Sequence, residues 1–166
     1  MKKINIYGKE YTLEYTIGAS LYDECVVSVM KLLSSYAYAE SDELKGNTKA
    51  IVDEQLTIMG GIPKVALNCF YAGLLEHHGT GEYAGENSDG SVSSIVVARG
   101  LIGKYLKESK ENGTGGTFMD VFNMCVECMG DDDFLTLIGV DDMISTMTPQ
   151  KKSTKRGRPK KEIIEA

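Results

Sequence analysis

Cys125 and Cys128 stand in a C-x-x-C spacing, the arrangement of half a zinc site or of a redox-active dithiol. A zinc site needs two further ligands, and the only histidines, His77 and His78, are adjacent. Neighbours on a helix point about 100° apart, so joint ligation of one ion is awkward. A redox pair is expected where a strand leads into a helix. This pair falls near the end of an apolar helical stretch, so it reads as two small core residues on one helical face. Gly113-Thr114-Gly115-Gly116-Thr117 precedes a helix, as a phosphate loop does, but lacks the Gly-Lys-Ser/Thr ending and follows no strand. Asp131-Asp132-Asp133 has the wrong spacing for a calcium loop, and acidic residues at a helix start complement the helix dipole. No serine or cysteine has a readable base beside it. No catalytic set, metal or cofactor is expected, and the chain reads as a binding protein rather than an enzyme.

One short motif is specific. Lys155-Arg156-Gly157-Arg158-Pro159-Lys160, followed by Lys161, resembles the AT-hook of DNA-binding proteins. In that motif the Arg-Gly-Arg-Pro core lies in the minor groove. Glycine lets the backbone approach the groove floor, proline keeps it extended, and arginines suit a narrow, negative A·T groove. Flanking lysines would meet phosphates. From Pro149 onward seven basic residues face two acidic ones, a charge of +5, which leaves −11 on residues 1–148 out of a total of −6. The body repels nucleic acid and the tail attracts it, so any DNA binding is expected to be weak, A·T-preferring and confined to the tail.

These residues must be positioned by a chain of 166 residues, long enough to bury a core without disulfides. No apolar run approaches the roughly 18 residues of a membrane span. The opening Met1-Lys2-Lys3-Ile4-Asn5-Ile6 alternates instead of forming a signal sequence. The four cysteines are then expected as reduced thiols inside a cell.

Ile4 and Ile6, then Tyr11, Leu13 and Tyr15, alternate with polar residues around Gly8-Lys9, which predicts a β-hairpin. A helix over about 20–38 follows, capped by Ser20, with Leu21, Cys25, Val29, Leu32 and Tyr36 on its buried face. Glu40-Ser41-Asp42-Glu43 is a polar break. A second helix is expected from Thr48 to Met59, burying Ile51, Val52, Leu56 and Met59 and ending at Gly60-Gly61. Pro63 suits the first turn of a third helix, whose stripe is Val65, Ala66, Cys69, Phe70, Gly73, Leu74 and His77, with Tyr71 and Leu75 at its exposed edge. Residues 79–90 carry no apolar period and read as a mobile loop. Ser91 or Ser93 caps a fourth helix, Thr117 a fifth with Gly130 as its stop, and a short sixth ends at Gly139. The expected fold is mostly α: an N-terminal hairpin on a bundle of five to six helices over 1–148, with a disordered basic tail over 149–166.

Three stretches carry a wider resemblance. They are Asn5-Ile6-Tyr7-Gly8-Lys9-Glu10-Tyr11-Thr12-Leu13, the run from Ile62-Pro63-Lys64 to Leu74-Leu75-Glu76, and the run from Val126-Glu127-Cys128 to Asp133-Phe134. Together they span roughly residues 4–139, and the order of elements resembles the tail assembly chaperones of long-tailed bacteriophages infecting Gram-positive bacteria. The resemblance implies a non-catalytic role in the host cytoplasm: coating the long tape-measure protein, recruiting tail-tube subunits, and absence from the finished virion. It also implies a second, longer product made by a translational frameshift. The basic tail lies outside the shared pattern. Tyr71 and Leu75, flanking the core stripe of the third helix, are the residues expected to contact the tape-measure protein. Self-association is a further expectation for such an adaptor.

Overall fold

The alternation at the N-terminus folds as expected. β1 (Lys2–Ile6) pairs antiparallel with β2 (Lys9–Leu13), with Ile4 opposite Tyr11 and Ile6 opposite Lys9. The turn is Tyr7-Gly8, one residue earlier than the sequence pattern suggests. Both residues have positive φ, 48° and 80°, as a two-residue turn matched to strand twist requires. Asn5 Oδ1 accepts the Gly8 N–H at 2.8 Å, and Glu108 accepts the Tyr7 N–H at 2.8 Å.

The computed structural model describes residues 1–39 and 47–140. Its helices are α1 (Ile17–Leu21), α2 (Asp23–Ala39), α3 (Thr48–His78), α4 (Ile95–Glu111), α5 (Phe118–Asp131) and α6 (Phe134–Leu137), with a 3-10 turn at Gly81–Tyr83. The protein is therefore mostly helical, with an N-terminal hairpin and about six helices. The expected polar break at 40–43 and the basic tail over 149–166 lie outside the described residues.

Several expectations are corrected. The helix expected over 20–38 is two helices, because Tyr22 takes an extended conformation and caps α1. Tyr22 turns inward and Leu21 is left 55% exposed. The second and third expected helices are one continuous α3 through Gly60, Gly61 and Pro63. Ile58, Ile62, Val65 and Cys69 recur at helical spacing and are all buried, so one continuous apolar face overrides the local breakers. This face sets the helical phase: Ile58 is four residues before Ile62, and Val52, Leu56 and Met59 consequently face outward. At 31 residues α3 has the length and composition of a membrane span, and 67% of its most apolar stretch is buried inside the fold. The loop after α3 is fastened rather than loose: Ser88 donates to Gly79 O at 2.6 Å and Asp89 N–H to His77 O at 2.9 Å. α4 begins at Ile95, and Val92 is buried ahead of it, donating its N–H to His78 O at 2.7 Å. Thr117 and Asp120 form a full capping box on α5.

α3 is the axis of the fold, packed by α1, α2, α4, α5 and β2. The hairpin and the residues just after it are joined to α3 by hydrogen bonds to Cys69, Gly73 and His78. Tyr15 is 1% exposed; its hydroxyl donates to the Cys69 carbonyl at 2.9 Å, and Glu14 N–H donates to Gly73 O at 2.8 Å. Thr12 N–H donates to His78 Nε2 at 2.9 Å, so the His78 proton sits on Nδ1, 3.0 Å from the Asp89 carboxylate.

Two carboxylates give this arrangement an acid limit. Hydrogen bonds from Ser91, aided by His78, pull Asp89 down to about 2. Burial alone pushes Asp132 up, but the Met1 amino group, the Tyr15 N–H and the Cys128 thiol together hold it below the usual carboxylate range. A depressed carboxyl contributes stability that is complete above the unfolded value of about 4 and is lost as pH falls toward the folded value. The Asp89 side chain is 48% exposed, so solvent screening keeps its share below about 1 kcal/mol. Thermal melts are expected to hold level from pH 7 to 5 and to drop between pH 4 and 2. A Tm that rises on acidification through that window would contradict the assignment.

Candidate functional site

α2 opens with Asp23 and Glu24 in its first turn, which suits the helix dipole. Cys25, Val29 and Leu32 turn inward at helical spacing, and Val27 is left 47% exposed. On α3, Thr57, Gly61, Lys64 and Asn68 fall on one line beside the core face. The two helices run antiparallel: Asn68 Nδ2 donates to Ser28 Oγ at 2.8 Å and reaches the Glu24 carbonyl at 3.4 Å. Between them lies a solvent-open groove of about 800 Å³ with largely apolar walls, including Val26, Val27, Met30, Leu32, Ile58 and Val65. From Thr57 to Asn68 it follows roughly 16 Å of α3, about three helical turns.

Three features distinguish this groove. Asn68, 4% exposed, uses its amide hydrogens on Ser28 and Glu24, and its Oδ1 has no partner among the described residues. A buried carbonyl normally has a donor. Second, Gly60 and Gly61 sit mid-helix in the wall. Among the described residues a Cβ on either would meet nothing within 4 Å, and neither has a positive φ, so neither packing against those residues nor backbone geometry requires glycine. Third, Lys31 and Lys64 line the groove without an ion-pair partner among the described residues, while Glu24 lies at its other end.

The glycines give a direct test of the helix. Each lowers stability by about 1 kcal/mol relative to alanine in a helix interior. Gly60→Ala with Gly61→Ala is expected to stabilise the fold by about 1–2 kcal/mol, raising Tm by several degrees. A destabilised double variant in urea titration would mean that the chain itself needs both glycines.

Tyr71 is half-buried and stacks edge-on against Tyr22 at 5.2 Å; Tyr22 in turn meets Tyr83 at 6.1 Å. Tyr71 follows Lys64 and Asn68 by seven and three residues, so it continues the groove line on α3. Leu75 is not at an exposed edge, as its position beside the stripe suggests. It is fully buried, one turn beyond the half-buried Tyr71. A second apolar surface is present where a core was expected: Val52, Leu56 and Met59 are 45%, 62% and 66% exposed along one face of α3.

The residues with chemical potential in the sequence are held elsewhere. Cys125 and Cys128 are fully buried. Burial pushes their thiols up to about 12 and about 11, so both are neutral thiols at pH 7. His77 engages Glu14 at 2.6 Å, and His78 is held by Thr12 and Asp89. Asp132 anchors the Tyr15 N–H at 2.9 Å. Lys155, Arg156, Gly157, Arg158, Pro159 and Lys160 lie outside the described residues. Comparison with known protein families, with curated proteins and with solved structures finds no match to this chain.

Proposed function

We propose that this protein is a non-catalytic chaperone of phage tail assembly, which binds the tape-measure protein and recruits tail-tube subunits in the host cytoplasm. The observation that carries the reading is the apolar α2–α3 groove, three turns long and open to solvent, in a body whose four cysteines are buried. The resemblance of the Asn5–Leu13, Ile62–Glu76 and Val126–Phe134 stretches to tail assembly chaperones supplies the partner. A long chain of apolar helical segments aggregates when bare, and a groove with modest affinity for each segment protects it through multiplicity along the chain. The exposed Val52, Leu56 and Met59 add apolar contact surface on the same helix. Co-expression is expected to keep a tape-measure fragment soluble with several copies of this protein bound to each fragment. If neither the tape-measure nor the tube protein binds at micromolar concentration, the reading fails, and DNA binding through Arg156 and Arg158 takes its place.

A further inference from the structure

We infer that the α2–α3 groove is a receptor for one amphipathic helix of a particular kind: an apolar face bordered by acidic residues, with its backbone laid against Gly60 and Gly61. The inference rests on the protein-binding reading above and specifies what that binding recognises.

The shape argument comes from the glycines. Two consecutive glycines in a helix interior are unfavourable, and here nothing among the described residues needs them, since an added Cβ would meet none of those residues within 4 Å. What their bare surface does is lower one wall of the groove. A helix lying there can bring its backbone against α3, as small residues permit wherever helices cross closely. The charge argument comes from Lys31 and Lys64, one on each wall. Residues 1–148 carry −11, so a basic pair without an ion-pair partner among the described residues, bordering an apolar groove, is the local exception and selects carboxylates. The polar argument comes from Asn68, whose buried Oδ1 lacks a donor among the described residues. A hydroxyl or amide on the incoming helix completes it. Apolar walls, close approach, a basic border and one buried acceptor together describe a helix site with a preferred register.

The probe is a fluorescein-labelled helical peptide of about five turns, leucines along one face and glutamates bordering them, with glutamine-bordered and lysine-bordered counterparts, titrated by anisotropy against the full chain. The glutamate peptide is expected to bind about tenfold more tightly than the glutamine peptide, with the difference shrinking as salt rises. Lys31→Glu with Lys64→Glu, both surface changes, is expected to reverse the order in favour of the lysine peptide. Gly61→Leu is expected to lose at least about tenfold in affinity while melting no lower than the wild type. Asn68→Leu would confound packing with polarity, so the glycine and lysine variants carry the test. Equal binding of the acidic and basic peptides, or unchanged binding by Gly61→Leu, overturns the proposal. A concentration-dependent dimer that Gly61→Leu abolishes assigns the groove to a second copy and also overturns it. If no peptide binds at about 100 µM, the groove is not a helix receptor, whereas the co-expression experiment independently decides whether the chaperone reading survives.

Discussion

Leu75→Glu is expected to unfold the protein, whereas Tyr71→Glu, four residues earlier on the same helix, is expected to leave it folded. Leu75 is fully buried. Truncating a core leucine costs about 2–5 kcal/mol, and a carboxylate without a partner in the same space adds a desolvation penalty of several more. The sum approaches the whole stability of a typical domain, about 5–15 kcal/mol. Tyr71 is only half-buried, at the rim where the groove meets the tyrosine cluster. A glutamate there can turn its carboxylate to water, losing the edge contact with Tyr22, about 0.5–1.5 kcal/mol, and part of the ring's apolar burial. Circular dichroism and urea titration separate the two. A cooperative transition at the wild-type midpoint for Leu75→Glu would mean that the Leu75 side chain is not enclosed in the core. Tyr71→Glu also places a negative charge beside the groove, so it is expected to weaken binding of an acid-bordered helix more than its small effect on stability suggests.

The pattern of apolar residues made most of the fold legible and left the site obscure, for one physical reason. Periodicity reports which residues turn away from water when an element has one buried face, and the hairpin and α5 are of that kind: Ile4, Ile6, Tyr11 and Leu13 alternate, and Val121, Cys125 and Met129 recur at helical spacing. α3 differs because it is surrounded. Its apolar residues occupy more than one face, so Tyr71 and Leu75, equally plausible as rim residues by spacing, separate only once the packing around α3 encloses one and leaves the other half-buried. Gly60-Gly61 and Pro63 are local stop signals in any single sequence, and only the tertiary face formed by Ile58, Ile62 and Val65 overrides them. Reading a stop there divided the helix and placed Val52, Leu56 and Met59 in a core. The groove itself depends on the antiparallel register of two successive helices, which sets Asn68 beside Ser28, 40 residues away. The available signal was the presence of two glycines in a segment otherwise fit for a helix, which reads equally as a break or as a deliberately bare surface.

The joint between hairpin and α3 carries the second large effect. Tyr15 fills the space left by Gly73: a Cβ on Gly73 would stand 3.0 Å from Tyr15 Cζ, 3.1 Å from its hydroxyl and 3.2 Å from Leu13 Cδ2. The ring also tilts against Phe134 at 5.3 Å, so one side chain ties β2, α3 and α6 together. Tyr15→Ala is expected to cost about 3–5 kcal/mol, and Tyr15→Phe, which loses only the bond to the Cys69 carbonyl, about 1 kcal/mol. Gly73→Ala combines two opposing terms. Helix propensity favours alanine by about 1 kcal/mol, while overpacking against the ring costs about 1–3 kcal/mol. The ring and its hydroxyl are held by the Cys69 carbonyl and Phe134, so overpacking wins and the single variant is expected to be destabilised. In the Tyr15→Ala background the two nearest obstacles are gone, Leu13 Cδ2 at 3.2 Å can shift into the vacated space, and the propensity term dominates. There Gly73→Ala is expected to be neutral or stabilising. The double-mutant cycle should therefore show a coupling of about 1–3 kcal/mol with this sign. Gly61→Ala in the same two backgrounds is the control: it lies on the groove wall in open space and should stabilise both equally. Additive behaviour of Tyr15 and Gly73 in urea titration would show that the glycine is not there to seat the ring.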